Sequence, residues 1–327
     1  MQMKKIEAYL SDWGFSQDLT KEQANLLTHI NYAFGLIVDG CTSVAHLHQL
    51  NRLKALKAEF LQLKVNLSIG GWGADGFSQA VSTAQGREKL ADSSICVLEE
   101  LNLSGLDWDW EYPGSDAAGI AWSSDDPGNM TEFLVLMREK LDRLSARTGR
   151  QYEQSIAVGG NRTDDYLWNR ALPALDTVNL MTYDMGMGNR VGHVTNLRRS
   201  SHASYSVEQS VAAFHAAGVP KDKLLIGCAL YSHAYHGVQA DAPFGAPFRE
   251  KGHSVPHDCL ESDFVQLWDA EAQAGYFMKG DILLSGDDER SLDAKRVYIE
   301  KENLGGAILW ELNHDRKNLL LPHIGNR

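Results

Sequence analysis

Three carboxylic acids, Asp107, Asp109 and Glu111, alternate with apolar residues in the run SGLDWDWE at positions 104–111. Successive side chains of a β-strand point to opposite faces, so the three acids would share one face, about 7 Å apart. Burying several ionised carboxylates is costly, and like charges raise one another's pKa. A structural role does not explain that cost, whereas general acid/base catalysis needs a carboxylic acid that keeps its proton near neutral pH.

Glu111 is the predicted proton donor, because Asp109 and Asp107 lie close behind it and raise its pKa. We expect Asp107 and Asp109 to titrate as a coupled pair that shares one proton. Two other interpretations of the motif remain. One is a solvated edge strand, which the flanking tryptophans oppose, and the other is a divalent-metal site, which carboxylates can also build.

The rest of the chain predicts the scaffold that positions these acids. Eight short β-branched or apolar runs alternate with stretches whose apolar residues recur every three or four positions, as on one face of a helix. Such alternation predicts parallel strands joined by helices. We therefore predict an α/β fold, a (β/α)8 TIM barrel with its active site where the carboxyl ends of the strands open into loops. The eight runs are 6–10, 30–36, 65–69, 103–110, 155–158, 178–183, 224–230 and 307–312.

The clearest single helix is predicted over residues 207–217. Ser206 and Gln209 fit a capping box at its start, and Gly218 with Pro220 ends it. The alternation of strand and helix patterns is interrupted between predicted strands seven and eight, where a long segment is rich in Gly, Pro, His and aromatic residues. We predict that residues 232–283 form a small insertion subdomain within a single 1–327 barrel, because unstructured loops of that length are uncommon.

Composition limits the classes of partner. The chain has 327 residues, 43% of them hydrophobic and 23% charged, as is typical of a soluble globular protein. With 43 acidic and 31 basic residues the formal net charge is −12. This excess of negative charge argues against nucleic acid and against an anionic membrane surface as partners, whereas a neutral ligand meets no such repulsion. No apolar run approaches the length of a membrane span.

The first residues and the cysteines bear on localisation. Lys4 and Lys5 are not followed by the apolar core of a signal peptide, because Glu7, Ser11 and Asp12 interrupt it. The chain as given is predicted to be cytoplasmic, and the alternative is a secreted protein whose leader is not part of this sequence. The four cysteines show neither a disulfide framework nor a zinc pattern, and we expect them to be free and mostly packed: Cys41, Cys96, Cys228 and Cys259.

The acidic motif resembles the strand-four signature of glycoside hydrolase family 18, the chitinases and their relatives. That signature reads Asp-x-x-Asp-x-Asp-x-Glu, and positions 104–111 match it except that Ser104 replaces the first Asp. We expect this replacement to alter the pKa tuning of the motif rather than to abolish activity. Further segments similar to the family follow in order: KVNLSIGGW at 64–72, NLMTYD at 179–184 and GGAILWE at 305–311.

The resemblance implies a role for each acid. Glu111 protonates the glycosidic oxygen and later activates water, while the substrate's own N-acetyl oxygen attacks the anomeric carbon, so no protein nucleophile is required. Asp109 holds the acetamido N–H and stabilises the positive charge that develops. Asp107 and Ser68 support Asp109 from behind, and Tyr183 donates to the acetamido carbonyl oxygen.

The resemblance also implies the residues that bind sugar. Asp184 would contact hydroxyl groups, Met181 would pack beneath the ring, and Trp310 would form the floor of the cleft. Outside the motif, Met181, Tyr183 and Trp310 would each be equally well explained as ordinary core. The remaining candidates for substrate binding are Tyr9, Phe34, Trp72 and Tyr231, with the loop residue Trp13 as a further subsite candidate.

The predicted function is hydrolysis of β-1,4-linked N-acetylglucosamine in chitin or chito-oligosaccharides, with retention of configuration and with no cofactor or metal. Rival predictions are an endo-β-N-acetylglucosaminidase acting on N-glycans and a non-catalytic chitin-binding lectin, which the intact Glu111 opposes. The insertion loosely resembles a subdomain that walls the cleft in many family members, which favours a deeper groove and exo or processive action. The insertion also holds a cluster with ligand-like spacings, whose histidines are predicted to be exposed polar residues rather than metal ligands: His233, His236, His253, His257 and Cys259.

Overall fold

A computed structural model describes residues 4–239, 241 and 243–325 of the chain. Its strands, in chain order, are β1 (Lys5–Ser11), β2 (His29–Val38), β3 (Cys41–Ser43), β4 (Lys64–Gly70), β5 (Gly105–Asp109), β6 (Glu153–Gly159), β7 (Thr177–Met181), β8 (Leu224–Ala229), β9 (Tyr231–His236), β10 (Glu250–Pro256), β11 (Val265–Asp269), β12 (Ala274–Lys279), β13 (Ile282–Gly286) and β14 (Gly306–Trp310). Its helices are α1 (Lys21–Leu26), α2 (Leu50–Glu59), α3 (Phe77–Val81), α4 (Ala84–Glu100), α5 (Asp126–Thr148), α6 (Trp168–Ala171), α7 (Val207–Ala216), α8 (Glu289–Glu302) and α9 (Leu321–Ile324).

Eight parallel strands close into a barrel. The hydrogen-bonded order is β1-β14-β8-β7-β6-β5-β4-β2, and β2 returns to pair with β1. Each barrel strand coincides with one of the eight predicted runs, so the (β/α)8 prediction is confirmed. The main difference is at the acidic motif, where the strand ends at Asp109 and leaves Glu111 two residues beyond it.

The register of the barrel brings polar residues to one level inside it. Ser68 of β4 lies opposite Asp107 of β5, and Asp107 lies opposite Ser155 of β6. The apolar residues between the acids, Trp108 and Trp110, are buried on the other side of the strand. Since the interior of such a barrel is filled by layers of side chains from several strands, this level holds a polar layer below the mouth.

The predicted helix at 207–217 is observed as α7, one residue shorter. Ser206 accepts a hydrogen bond from the backbone N–H of Gln209, as an N-cap does, while the Gln209 side chain meets the Ser206 hydroxyl rather than its backbone. Val207, Val211 and Phe214 are buried on the inner face. Gly218 takes a left-handed conformation, with φ of 104°, just past the end of the helix.

The insertion between β8 and α8 folds as a second sheet. Its five antiparallel strands follow the order β10-β9-β13-β12-β11 and extend from Tyr231 to Gly286, slightly beyond the predicted 232–283. Apart from a 3-10 turn at His257–Cys259, the described part of this segment contains no helix. Apolar clusters cover both faces of the sheet, one around Tyr235 and Leu283 and the other around Phe277 and Leu284.

Two predictions from composition are resolved by the fold. Among the described residues, no helix combines the length and the apolar character that a bilayer crossing requires.

The four cysteines are free, as predicted, but the expectation that most are packed is wrong. Only Cys228 is buried, because it lies on β8 inside the barrel wall, whereas Cys96 and Cys259 are exposed.

Candidate active site

A cleft of about 1880 Å³ opens at the carboxyl ends of the barrel strands. The loops after the strands form most of its lining, and the insertion sheet contributes His233, Tyr235 and Lys251. Three of the predicted site residues, Asp107, Ser68 and Tyr231, do not line the cleft but lie buried behind it. The structure brings the other predicted residues together on its surface: Tyr9, Phe34, Trp72, Asp109, Glu111, Met181, Tyr183, Asp184 and Trp310.

Four hydrogen bonds hold the fully buried carboxylate of Asp107. Tyr9 and Ser68 donate to Oδ2 at 2.9 and 2.7 Å, and Ser155 and Asn179 donate to Oδ1 at 3.2 Å or less. Burial raises the pKa of Asp107 to about 6, although the donated hydrogen bonds from Ser155 and Ser68 act in the opposite direction. Ser68 therefore reaches the site only through Asp107.

Asp109 is the acid between Asp107 and the cleft. Its side chain is 4% exposed, and its Oδ1 atom has no hydrogen-bond partner among the described residues. Burial raises the pKa of Asp109 well above the ordinary value, and the charges of Glu111 and then Asp107 raise it further. The strongest charge coupling of Asp109 is thus with Glu111, whereas the sequence predicted a pair with Asp107. A buried oxygen without a partner is uncommon in folded proteins and marks Asp109 as a candidate for function.

Glu111 has a pKa raised to about 7, chiefly by burial. A hydrogen bond from Tyr112 opposes this shift, and the charge of Asp184 adds to it. A raised pKa was predicted from the acids behind Glu111; burial is its main cause, Asp184 from the loop after β7 adds to it, and the charges of Asp109 and Glu111 act on each other. A carboxyl group that titrates near neutral pH suits both the acid and the base step of a reaction.

Asp184 is fixed by two donors on one oxygen. Tyr231 donates to its Oδ1 at 2.7 Å, and Nε2 of His233 lies 2.9 Å from the same atom. Although burial alone would raise the pKa of Asp184, the bonds from His233 and Tyr231 and the charge of Lys251 hold it below the usual range. Tyr231 therefore acts through Asp184. His233, predicted as an exposed histidine, is instead part of the cleft wall, with its side chain 12% exposed.

Aromatic side chains cover the floor and one side of the cleft. Trp310 stacks on Phe34 with ring centroids 5.6 Å apart and an interplanar angle of 18°, and Tyr9 packs beside it at 5.6 Å. Trp13 and Trp72 are largely exposed, at 68% and 66%. Exposed flat rings of this kind suit the apolar face of a sugar, because they offer contact area at low conformational cost.

Two glycines allow the close packing at the mouth. Gly70 has φ of 120°, and a Cβ there would lie 2.1 Å from the backbone oxygen of Asp109. Gly71 has φ of 91°, and a Cβ there would lie 2.7 Å from the ring of Phe34. Both positions require glycine, because the backbone of β5 leaves no room for a side chain at Gly70 and the Phe34 ring leaves none at Gly71.

Some lining residues were missed by sequence reasoning. Tyr112 follows Glu111 directly, and the guanidinium of Arg162 lies 4.5 Å from the centre of its ring. Tyr205 comes from the long loop after β7, and Lys251 from the insertion. Adjacency to the signature was a usable signal for Tyr112. The sequence contained no comparable signal for the others, because loop conformation brings them to the cleft.

Comparison with known proteins agrees with this geometry. The model of the glycosyl hydrolases family 18 matches residues 5–315. Chitinase A1 of Niallia circulans is 30% identical over 314 residues, covering 83% of this chain and 43% of that protein, so the chain spans less than half of this relative's length.

Two solved structures share the whole architecture. A family 18 N-acetylglucosaminidase from Paenibacillus barengoltzii is 39% identical with a TM-score of 0.92, covering 98% of this chain and 99% of that one. Chitinase ChiW from Paenibacillus sp. str. FPU-7 is 31% identical with a TM-score of 0.90, covering 98% of this chain and 32% of that one. The closed barrel, the acids at its mouth and these likenesses place the chain in family 18 of the glycosyl hydrolases.

Proposed function

We propose that this glycoside hydrolase cleaves β-1,4-linked N-acetylglucosamine in chitin or chito-oligosaccharides, with retention of configuration and with Glu111 as the general acid/base. The observation that carries the proposal is the pairing of two unlike acids at the cleft. Glu111 has a pKa near 7 and so can give and take a proton. Asp109, which also lines the cleft, has a buried side-chain oxygen without a protein partner.

The first step forms an internal ring in the substrate. Glu111 donates its proton to the glycosidic oxygen, and the carbonyl oxygen of the substrate's acetamido group bonds to the anomeric carbon as the glycosidic bond breaks. The unpartnered oxygen of Asp109 accepts the acetamido N–H and faces the positive charge of the oxazolinium ring. Burial raises the pKa of Tyr183 well above its usual value, so its phenol stays protonated and donates to the acetamido oxygen.

The second step opens that ring with water. The Glu111 carboxylate takes a proton from water, whose oxygen attacks the anomeric carbon from the face that the leaving group left. The bond to the acetamido oxygen breaks, and the free sugar keeps its original configuration. One residue therefore serves as acid and then as base, which a pKa close to the working pH permits.

Substrate size and class follow from the lining. The volume of the cleft accommodates several sugar units. Its aromatic floor of Trp310 and Phe34, with Trp72 exposed at the rim, suits pyranose rings without charge. The related proteins are themselves described as chitinases and an N-acetylglucosaminidase, which supports N-acetylglucosamine as the sugar unit.

The test uses the purified chain with a chromogenic chitobioside and, separately, a high-mannose glycopeptide. We expect turnover of the chitobioside alone, and the β-anomer as the first product by NMR. Glu111→Gln should lower kcat about a thousandfold, while Glu100→Gln, an exposed position at the end of α4, should leave it unchanged. Unchanged turnover in Glu111→Gln, or cleavage of the glycopeptide only, would overturn the proposal.

A further inference from the structure

A fourth carboxylate, Glu7, lies inside the barrel. It is 1% exposed on β1 and lies two residues before Tyr9, whose hydroxyl is bonded to Asp107. Side chains two residues apart on a strand share a face, so Glu7 occupies the next interior layer, on the amino-terminal side of the Asp107 layer. The proposed chemistry gives this buried acid no part, although a buried carboxylate is costly to keep.

One amide nitrogen joins Glu7 to the catalytic motif. Nδ2 of Asn179 lies 3.3 Å from Oε2 of Glu7 and 3.2 Å from Oδ1 of Asp107. Asn31 also donates to Oε2 of Glu7, at 3.1 Å, and Asn66 in turn donates to Asn31 at 3.1 Å. The amide nitrogen of Asn179 therefore lies between the carboxylates of Glu7 and Asp107 and joins them in one hydrogen-bonded network.

The basic side chain near Glu7, His29, also bonds to another acid. Nδ1 of His29 lies 4.0 Å from Oε1 of Glu7, but its Nε2 is 2.8 Å from Glu153. Lys5, at 3.1 Å, and Lys64 also bind Glu153. These groups close the amino-terminal end of the barrel below Glu7. The charge of Glu7 adds to burial in raising the pKa of Asp107.

The other groups that face Asp107 are few. From β1 it meets Tyr9 and Glu7, and along its own strand Asp109. The phenol of Tyr166, also buried, is within range of its charge. The partners contributed by β4, β6 and β7 do not titrate: Ser68, Ser155 and Asn179. Among the described neighbours, Glu7 is thus the carboxylate that bears on Asp107 from outside its own strand.

We propose that Glu7 is a positioning residue for hydrolysis, which orients Asp107 through Asn179 and sets the acidic limb of the pH profile. This role rests on the proposed function. The oxazolinium charge requires one ionised carboxylate in the Asp107–Asp109 pair. The pKa of Asp107 is raised to about 6, so ionisation of Asp107 supplies the negative charge. The charge of Glu7 shifts this ionisation to higher pH.

The experiment compares kcat/KM against pH for the wild type, Glu7→Gln and Glu7→Met, with a chromogenic chitobioside as substrate. Without the Glu7 charge, Asp107 ionises at lower pH, so both variants should move the acidic limb down by about one pH unit. The basic limb should stay, because Glu111 and Asp184 are untouched. Glu7→Met cannot accept the bond from Asn179, and we expect a further loss of about fivefold in kcat at unchanged KM.

The matched control is Asp315→Asn, which removes a fully buried carboxylate that caps Leu319, Leu320 and Leu321 far along the chain. Its profile should keep both limbs, since a loss of stability alone does not move them. Superimposable profiles for the wild type and both Glu7 variants would overturn the inference, as would failure of both variants to fold, which would give Glu7 a folding role. No turnover by the wild type would reject the proposed function instead.

Discussion

Tyr231 donates a 2.7 Å hydrogen bond to the Asp184 carboxylate. With His233 on the same oxygen, this contact keeps Asp184 ionised close enough to Glu111 for its charge to act there. The charge that Tyr231 stabilises is one cause of the raised pKa of Glu111. A tyrosine outside the cleft therefore bears on the proton donor through one intermediate carboxylate.

Asp184→Asn should shift the basic limb of the pH profile. Removing the negative charge favours ionisation of Glu111, so its pKa should fall from about 7, and activity should be lost at a pH lower by about half a unit to one unit. Glu100→Gln is the control, because it removes an exposed carboxylate at the end of α4. A basic limb that stays in place in Asp184→Asn would show that the charge of Asp184 does not contribute to the raised pKa of Glu111.

Chito-oligosaccharides stripped of their acetyl groups should be nearly inert. The proposed mechanism takes its nucleophile from the acetamido group and gives Asp109 the role of holding that group rather than of attacking. We expect kcat/KM to fall by at least about a thousandfold between acetylated and fully deacetylated hexamers. Product analysis by mass spectrometry measures this, and rapid cleavage of the deacetylated oligomer would rule out substrate assistance.

Trp72→Ala should weaken substrate binding. The ring is 66% exposed at the rim of the cleft and lies 6.4 Å from Tyr112. Loss of one stacking surface should raise KM about tenfold with little change in kcat. Trp122→Ala provides the control, since that ring is 53% exposed but does not line the cleft. Equal effects of the two substitutions would remove the argument for stacking at Trp72.

Glu111→Gln should stabilise the fold at high pH. A carboxyl group whose pKa is higher in the folded than in the unfolded chain disfavours folding once it is ionised. Stability is therefore lost as the pH rises from about 4.5 through about 7. At pH 8 we expect the variant to gain about 2 kcal/mol in free energy of unfolding, and at pH 4 about nothing. Urea titrations at both pH values measure this, and a gain of equal size at both would contradict the assignment.

Local patterns sufficed for the barrel strands and for the acids. The run at 65–69 is β4 and the run at 224–230 is β8 to within a residue or two, because β-branched residues and flanking turns are local signals. Alternation along 104–111 was enough to separate Asp107 and Asp109 from the buried Trp108. Strand periodicity is a property of the chain itself, and it does not depend on what the strand later contacts.

The contacts that the sequence did not show depend on how the strands close into a barrel. Asp184 acts on Glu111, and Glu7 meets Asp107 through Asn179, only because β7 comes to lie across the barrel from β1 and near β5. The place of His233 in the cleft wall likewise follows from how the insertion strand β9 leaves β8. Contacts between residues so distant along the chain carry no spacing that a linear pattern can reveal.

The wall of the cleft has two parts, the barrel loops and the insertion sheet, and they differ in how freely they can change. The acids lie on or just past barrel strands whose neighbours fix their positions, so few substitutions there leave the chemistry intact. Tyr235 and Lys251 instead stand on a sheet built from one excursion of the chain between β8 and α8. Lengthening, shortening or exchanging that excursion would remodel one bank of the groove without altering the barrel register. Variation in what the cleft accommodates therefore has a separate part of the gene on which to act.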